Sequence, residues 1–375
     1  MANIFQNIFK KSGLSKSPSR SDSVIGVDIG SSSIKVVQLK KKAGKAVLET
    51  YGELSLGPFA DGPVGSLTNL NTDVLVQALK DVIKESQVTT NSAAMSIPSS
   101  SSLLFVLELP GIIEESKLSD IVPIEARRYV PLPISEVTLD WWMIPRRESF
   151  SAEASEDERG VEKIKTEVLV AAIHNDAMNK YREIFEKAEL TNGFFEIEIF
   201  SNIRGTLGHD LSTVLIADFG ASKTKLAIID NGIIKKSHII TKGSFDISNN
   251  ISKALDIPFA KAEEQKKEFG LIESDINKNI AEISKLVIDY IFSDMREVIS
   301  NYERKYNKVV NKIILTGGGA MLKGLRDAAT ETFGADIVLS NPFAKTQSPV
   351  FLAQVLESVG PPFAVAVGLA LKKLQ

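Results

Sequence analysis

The sequence predicts an α/β protein in two lobes, and three observations carry that expectation. Each half of the chain opens with three strand-like runs and follows them with a helical pattern. A strand ending in Asp-x-Gly and small residues occurs twice, in VIGVDIGSSSIK and in LIADFGASKTKLAII. A third apolar strand, KIILTG, runs into Gly317, Gly318 and Gly319. Alternation of strand and helix periods on this scale marks layered α/β architecture, and a repeat across the two halves marks duplication. The 375 residues suffice for more than one packed unit.

Taken in order, the first 22 residues end in a Ser/Lys/Pro stretch and read as a flexible tail. Ile4, Phe5, Ile8 and Phe9 sit there at helical spacing beside Lys10 and Lys11, which leaves a membrane-surface or partner-docking helix open. VIGVDIG, SIKVVQLK and AVLETYGEL are strands, with KKKAGK as the last turn. A helix over Asn71–Ser86 carries Val74, Leu75, Ala78, Leu79 and Val82 on one stripe, and the strand AAMSIP follows. A separate unit comes next: strand LLFVLEL, a helical stretch Glu114–Arg128 that Pro123 should kink, and strands VTLDWWMI and TEVLVAAI. The acidic, Ser-rich SFSAEASEDERG between the last two reads as a solvated loop. Trp141 and Trp142 alternate sides, so one can pack inward while the other either faces out as a partner surface or is a partly buried edge-strand Trp. A helix over Asp176–Ala188 closes this half.

The second half repeats the grammar with LSTVLIADFG, SKTKLAIID and GIIKKSHII, the last two joined by Asn231-Gly232, which suits a type I′ turn. A polar helical stretch from Phe245 to Tyr306 has core candidates Ile283, Leu286, Val287, Tyr290 and Ile291. Strand KIILTG, a helix from Met321 to Glu331, strand DIVLS and a final helix from Phe363 to Leu371 complete the chain.

Composition narrows the function. Lys+Arg 44 against Asp+Glu 47 gives a net charge of −3, which argues against a generally basic nucleic-acid binder. The absence of Cys excludes disulfides and thiolate chemistry. His174, His209 and His238 are scattered, which disfavours a histidine metal site. No run is apolar enough to span a bilayer, so a cytoplasmic chain is expected. In the first repeat, Gly30, Ser31, Ser32 and Ser33 are small enough for backbone amides to approach an anion, and Asp28 suits a metal-bound water. Asp218, Gly220 and the small residues after them repeat this. Two such turns can grip one polyphosphate from both sides with magnesium between the carboxylates. Gly317–Gly319 let the backbone lie against a ligand, with free N–H groups expected at a helix start near Met321.

The order of these motifs resembles the actin, sugar-kinase and heat-shock-chaperone ATPase superfamily. LLFVLELP…EARRYVPLPISEVTLDWWMI is similar to the inserted domain of the FtsA and PilM families, and EARRYVPLP followed by E-V-x-L-D is nearer PilM. The similarity covers Val24 to Leu374. It implies an actin-like (ribonuclease H-like) two-lobed ATPase fold with an inserted strand-helix-strand-strand subdomain of SHS2 type. The implied division runs from the tail 1–22 to a first lobe 23–98, an inserted subdomain 99–172 and a first-lobe connecting helix within 173–210. The second lobe spans 211–242 and 308–360 around a helical subdomain 243–307, and 361–375 returns to the first lobe.

The resemblance implies ATP and Mg2+ as cofactors. The first phosphate loop would hold Asp28, Gly30, Ser31, Ser32 and Ser33, with Lys35 beside them. The second would hold Asp218, Gly220, Ala221 and Ser222. Gly317, Gly318, Gly319, Ala320, Met321 and Gly324 match the adenosine loop. Gly243, Ser244, Glu263 and Lys266 match the ribose and adenine segments, although Ser244 stands where a second Gly is usual. Glu198 fits the position that orients attacking water, or it only hydrogen-bonds locally. Ser201, Gly205 and Gly208 face one way on the connecting helix, as Ala364 and Gly368 do on the last. A close helix crossing at the lobe hinge is expected there, or simple core packing.

By the same resemblance the chain is expected to be a cytoplasmic ATP-binding component of a type IV pilus, or related type II secretion, inner-membrane platform. Its partner would be the N-terminal peptide of a PilN-like membrane protein, with slow hydrolysis and self-association open. The alternative is an FtsA-like division protein forming filaments at the membrane. FtsA-like chains usually end in an amphipathic membrane helix, and the stop at LALKKLQ favours PilM.

Overall fold

The computed structural model describes residues 22–145, 165–208 and 210–374. The tail helix candidates, the SFSAEASEDERG loop and His209 lie outside the described residues.

In the first lobe, β1 (Ser23–Ile29), β2 (Ser33–Lys42) and β3 (Lys45–Ser55) form an antiparallel meander. After α1 (Thr72–Glu85), β4 (Ser92–Ile97) joins β1 in parallel. The inserted unit then runs through β5 (Ser102–Pro110), α2 (Leu118–Ala126), β6 (Val137–Met143) and β7 (Lys165–His174). It forms its own sheet in the order β5-β7-β6. The chain returns through α3 (Asn175–Lys187), β8 (Thr191–Ile197) and α4 (Glu198–Thr206). The first sheet has the order β3-β2-β1-β4-β8.

The second lobe copies that plan. β9 (Val214–Phe219), β10 (Thr224–Asp230) and β11 (Ile233–Ile240) make the meander. Three helices follow, α5 (Ser244–Leu255), α6 (Phe259–Phe269) and α7 (Lys278–Tyr306). Then come β12 (Lys312–Thr316), α8 (Leu325–Phe333), β13 (Asp336–Leu339), α9 (Ala353–Val359) and α10 (Ala364–Leu374). The second sheet reads β11-β10-β9-β12-β13, with β12 and β13 parallel. Asn231 and Gly232 both have positive φ, 54° and 78°, as a type I′ turn requires.

Burial on both faces explains why β1 and β9 read as unbroken apolar runs. Ile25 and Val27 pack with Leu75, Leu79 and Val82 of α1, while Val24 packs with Ala366 and Val367 of α10 on the other face. A Cβ at Gly26 would stand 2.0 Å from the Ala366 carbonyl oxygen, so α10 lies directly on β1. The expected close crossing of α4 and α10 is present. A Cβ at Gly205 would meet the Ala364 oxygen at 2.1 Å, and one at Gly368 the Ser201 oxygen at 1.8 Å. Gly208 lies past the end of α4 and takes no part.

Several expectations are corrected. In FEIEIFSNIRGTLG, the segment whose likeness to the connecting helix places Glu198, the residues up to Ile197 are strand β8, paired with β4, and the helix starts only at Glu198. No α-helix starts at Met321: Gly318–Met321 is a 3-10 turn, Gly324 turns at φ 80°, and α8 begins at Leu325. Helix α2 is shorter than Glu114–Arg128 and contains Pro123 without a break. Ser119, whose carbonyl loses its helical donor there, is exposed to water. On α7, Leu286 and Tyr290 are exposed, because the buried stripe runs through Ile280, Ser284, Val287, Ile291, Met295 and Val298. Of the two readings of the tryptophans, the partly buried edge-strand one holds: both are half-buried on β6, at the edge of its sheet. Trp141 packs on the inserted unit's own core and Trp142 on the first-lobe core. Helix α9 was not anticipated.

Candidate functional site

The two hairpins that the sequence repeats face each other across a cleft. In the first, Asp28 lies opposite Lys35 in the β1–β2 register, and the Gly30 N–H donates to the Ser33 carbonyl at 2.9 Å. In the second, Asp218 lies opposite Lys225, and the Gly220 N–H donates to the Lys223 carbonyl at 3.0 Å. The loops touch through Ser31 Oγ and Ser222 Oγ, 3.1 Å apart. The glycine turn after β12 closes the second hairpin from behind. Gly317 has φ 81°, and a Cβ on it would lie 2.3 Å from Asp218 Oδ1, so a side chain fails there on conformation and space together.

These elements enclose a cavity of about 940 Å³, a volume within the usual range for small-molecule sites. Of the residues expected to bind nucleotide, it is lined by Gly30, Ser31, Ser32, Ser33, Lys35, Gly220, Ala221, Ser222, Ser244, Glu263, Lys266, Gly317, Gly318, Gly319 and Met321. Asp28, Asp218 and Glu198 line it too. Gly243 does not. It packs behind the second loop, where a Cβ would meet the Ala221 oxygen at 2.3 Å. Glu263 and Lys266 are buried and paired at 2.7 Å, and Ser248 Oγ donates to Glu263 at 2.6 Å. Burial pushes the Glu263 carboxyl up, but Lys266 and Ser248 outweigh it and hold it below the ordinary carboxylate range.

Electrostatics differ along the cleft. Asp28 accepts a 2.7 Å bond from Ser96 Oγ, yet burial and the Glu198 charge raise its carboxyl above the ordinary value, against the pull of Lys35 and Lys225. Glu198, the first residue of α4, is buried with both oxygens engaged. Oε1 accepts the Ser99 N–H at 2.6 Å and Oε2 accepts Lys225 Nζ at 2.8 Å. Burial lowers the Lys225 ammonium, but Asp218, Glu198 and Asp28 together raise it well above the usual lysine range. Asp28 and Asp218 both face the cleft, while no group of three His, Asp or Glu able to hold a metal occurs among the described residues.

Two parts of the site escaped the sequence reading. Lys225 carried a signal: 35 − 28 = 7 and 225 − 218 = 7, so each hairpin repeats an Asp–Lys pair at one spacing. The loop before α1 carried none. It crosses to the second lobe, where a Cβ on Gly65 would stand 2.8 Å from the Glu263 carboxyl carbon, and Thr68 N–H donates to the Ser31 carbonyl at 2.9 Å.

Duplicated five-stranded sheets with opposed Asp-bearing hairpins and a glycine turn define an actin-like α/β protein. Solved structures agree. This fold superposes on the PilM–PilN type IV pilus biogenesis complex with a TM-score of 0.78 at 22% identity, covering 95% of this chain and 99% of that one. MreB5 of Spiroplasma citri bound to AMPPNP gives 0.50 at 13%, covering 93% and 95%. The chain belongs to the PilM family: the family described as type IV pilus assembly protein PilM matches residues 26–374. The cell division protein FtsA of Enterococcus faecalis is 24% identical over 370 residues, covering 87% of this chain and 80% of that protein. No single described helix is long and apolar enough to cross a membrane.

Proposed function

We propose that this PilM-family chain binds Mg-ATP between its lobes and serves as the nucleotide-dependent component of a type IV pilus, or related secretion, inner-membrane platform. The observation that carries this reading is the meeting of two Asp-Gly hairpins and a glycine turn around one cavity of about 940 Å³. Backbone amides of small residues then serve the phosphates, and Asp28 and Asp218 serve the waters of a magnesium ion. Magnesium, when bound, would supply charge neutralisation for the phosphates. Glu198, Ser99 and Lys225 set where a water or a phosphate oxygen can sit. Support for a nucleotide comes from the AMPPNP in the MreB5 relative.

The partner is a short cytoplasmic N-terminal segment of a PilN-like membrane protein, docking on the inserted unit between Ser99 and Ala172 or where it adjoins the first lobe. The PilM–PilN complex among the structural relatives supports that choice. Membrane association then comes through the partner. A pull-down with synthetic N-terminal peptides of neighbouring-encoded membrane proteins, with and without Mg-ATP, tests both parts. Capture that depends on nucleotide supports them, and no capture under either condition removes the peptide partner.

A further inference from the structure

Resting on that reading of the cleft, we propose that Lys225 is the residue that recognises the terminal phosphate, and that it does so by exchanging Glu198 for that phosphate. Lys225 lies on strand β10, past the Gly220–Lys223 turn and opposite Asp218. Its Nζ is 2.8 Å from Glu198 Oε2 and 3.5 Å from Asp218 Oδ2. Glu198 belongs to the first lobe and Asp218 to the second, so this ammonium bridges the cleft that a triphosphate would enter.

The equivalent lysine behaves otherwise. Lys35 Nζ stays in its own lobe, 2.7 Å from Ser33 Oγ and 3.2 Å from Glu53. Lys225 is thus the hairpin lysine held by a carboxylate of the opposite lobe, and it lines the cavity. A dianionic phosphate with three acceptor oxygens competes well against one carboxylate for an ammonium. A diphosphate ends one phosphoryl unit short and leaves the Lys225–Glu198 pair intact. When Lys225 turns to phosphate, Oε2 of Glu198 is released to face the cleft, while Oε1 stays on the Ser99 N–H.

Calorimetric affinities of the full chain for Mg-ATP and Mg-ADP test this. Wild type should prefer ATP, and in Lys225→Met the ratio of the two affinities should fall by about tenfold. Lys225→Arg, which keeps the charge, should retain most of the preference. Glu198→Gln removes the competitor, so it should raise the preference several-fold, and should do nothing in a Lys225→Met background. An unchanged ratio in Lys225→Met, or a lowered one in Glu198→Gln, overturns the assignment; should Lys225→Met not fold, the Arg and Gln variants decide it. A wild-type chain that binds neither nucleotide overturns instead the reading of the cleft on which the assignment rests.

Discussion

The two hairpins are alike in sequence and unlike in surroundings. Each sets an Asp opposite a Lys one register step from an open turn. The first is supported by groups of its own lobe: Ser96 on Asp28, Ser33 and Glu53 on Lys35, and the loop through Thr68 on Ser31. The second is backed by the glycine turn at Gly317 and reaches across the cleft through Lys225 to Glu198. Duplication therefore fixes where the carboxylates stand, while the neighbouring elements decide whether each hairpin lysine is held within its own lobe or across the cleft. The buried anchor of that cross-cleft link is α4, packed on α10 and held by Glu196, which pairs with Arg204 and Lys372 at 2.7 Å each.

The largest expected effect breaks the second hairpin alone. Gly317→Ala forces a Cβ onto Asp218 at a left-handed residue, and should destabilise the fold by about 2–3 kcal/mol and abolish Mg-ATP binding. Denaturant melts and calorimetry check both. Glycine-to-alanine in the first hairpin's own turn, Gly30→Ala, meets only the Ser33 oxygen at 3.1 Å and should cost under about 1 kcal/mol.

Acid separates the hairpins next. Burial and Glu198 raise Asp28, so it takes up a proton at a higher pH than an ordinary Asp. Mg-ATP affinity should weaken as pH falls through that raised value. The sign for folding is opposite. The native state binds a proton that the unfolded chain releases, so this contribution to stability is present in acid and is lost as pH rises through the folded pKa. Asp28→Asn should stabilise the nucleotide-free fold at neutral pH while weakening Mg-ATP. Melts at two pH values, paired with binding, read both.

A smaller effect falls on turnover. If Glu198 orients water once Lys225 has left it, Glu198→Ala should bind Mg-ATP at least as tightly as wild type, having lost the competitor for Lys225, and lose whatever slow hydrolysis the wild type has. Equal turnover in the two proteins would leave Glu198 as the strut between Ser99 and Lys225 only.

How much of this was legible depends on the kind of constraint. The meanders, the repeated Asp-x-Gly turns and the α4–α10 crossing were readable because strand alternation, small turn residues and small helix faces each have one local cause. Strand β8 was missed because its few residues run straight into α4, with no turn residue between Ile197 and Glu198. The start of α8 was misplaced because the 3-10 turn already ends at Met321, and Gly324, four residues past Ala320, is the left-handed N-cap from which α8 begins. Leu286 and Tyr290 look like core in a helical window, and the elements packed on α7, which are α5, α6, β11 and α8, decide which stripe is buried. The pairing of Lys225 with Glu198 joins residues 27 positions apart in different lobes, which no local pattern encodes.

The central claim is that both hairpin carboxylates serve one Mg-ATP, and isothermal titration of wild type, Asp28→Ala and Asp218→Ala tests it most directly. Wild type should bind one Mg-ATP, and each variant should weaken it by at least about tenfold, since the ion's water shell loses one of two supports. Binding at wild-type affinity in both variants, or no binding by the wild type, would contradict it.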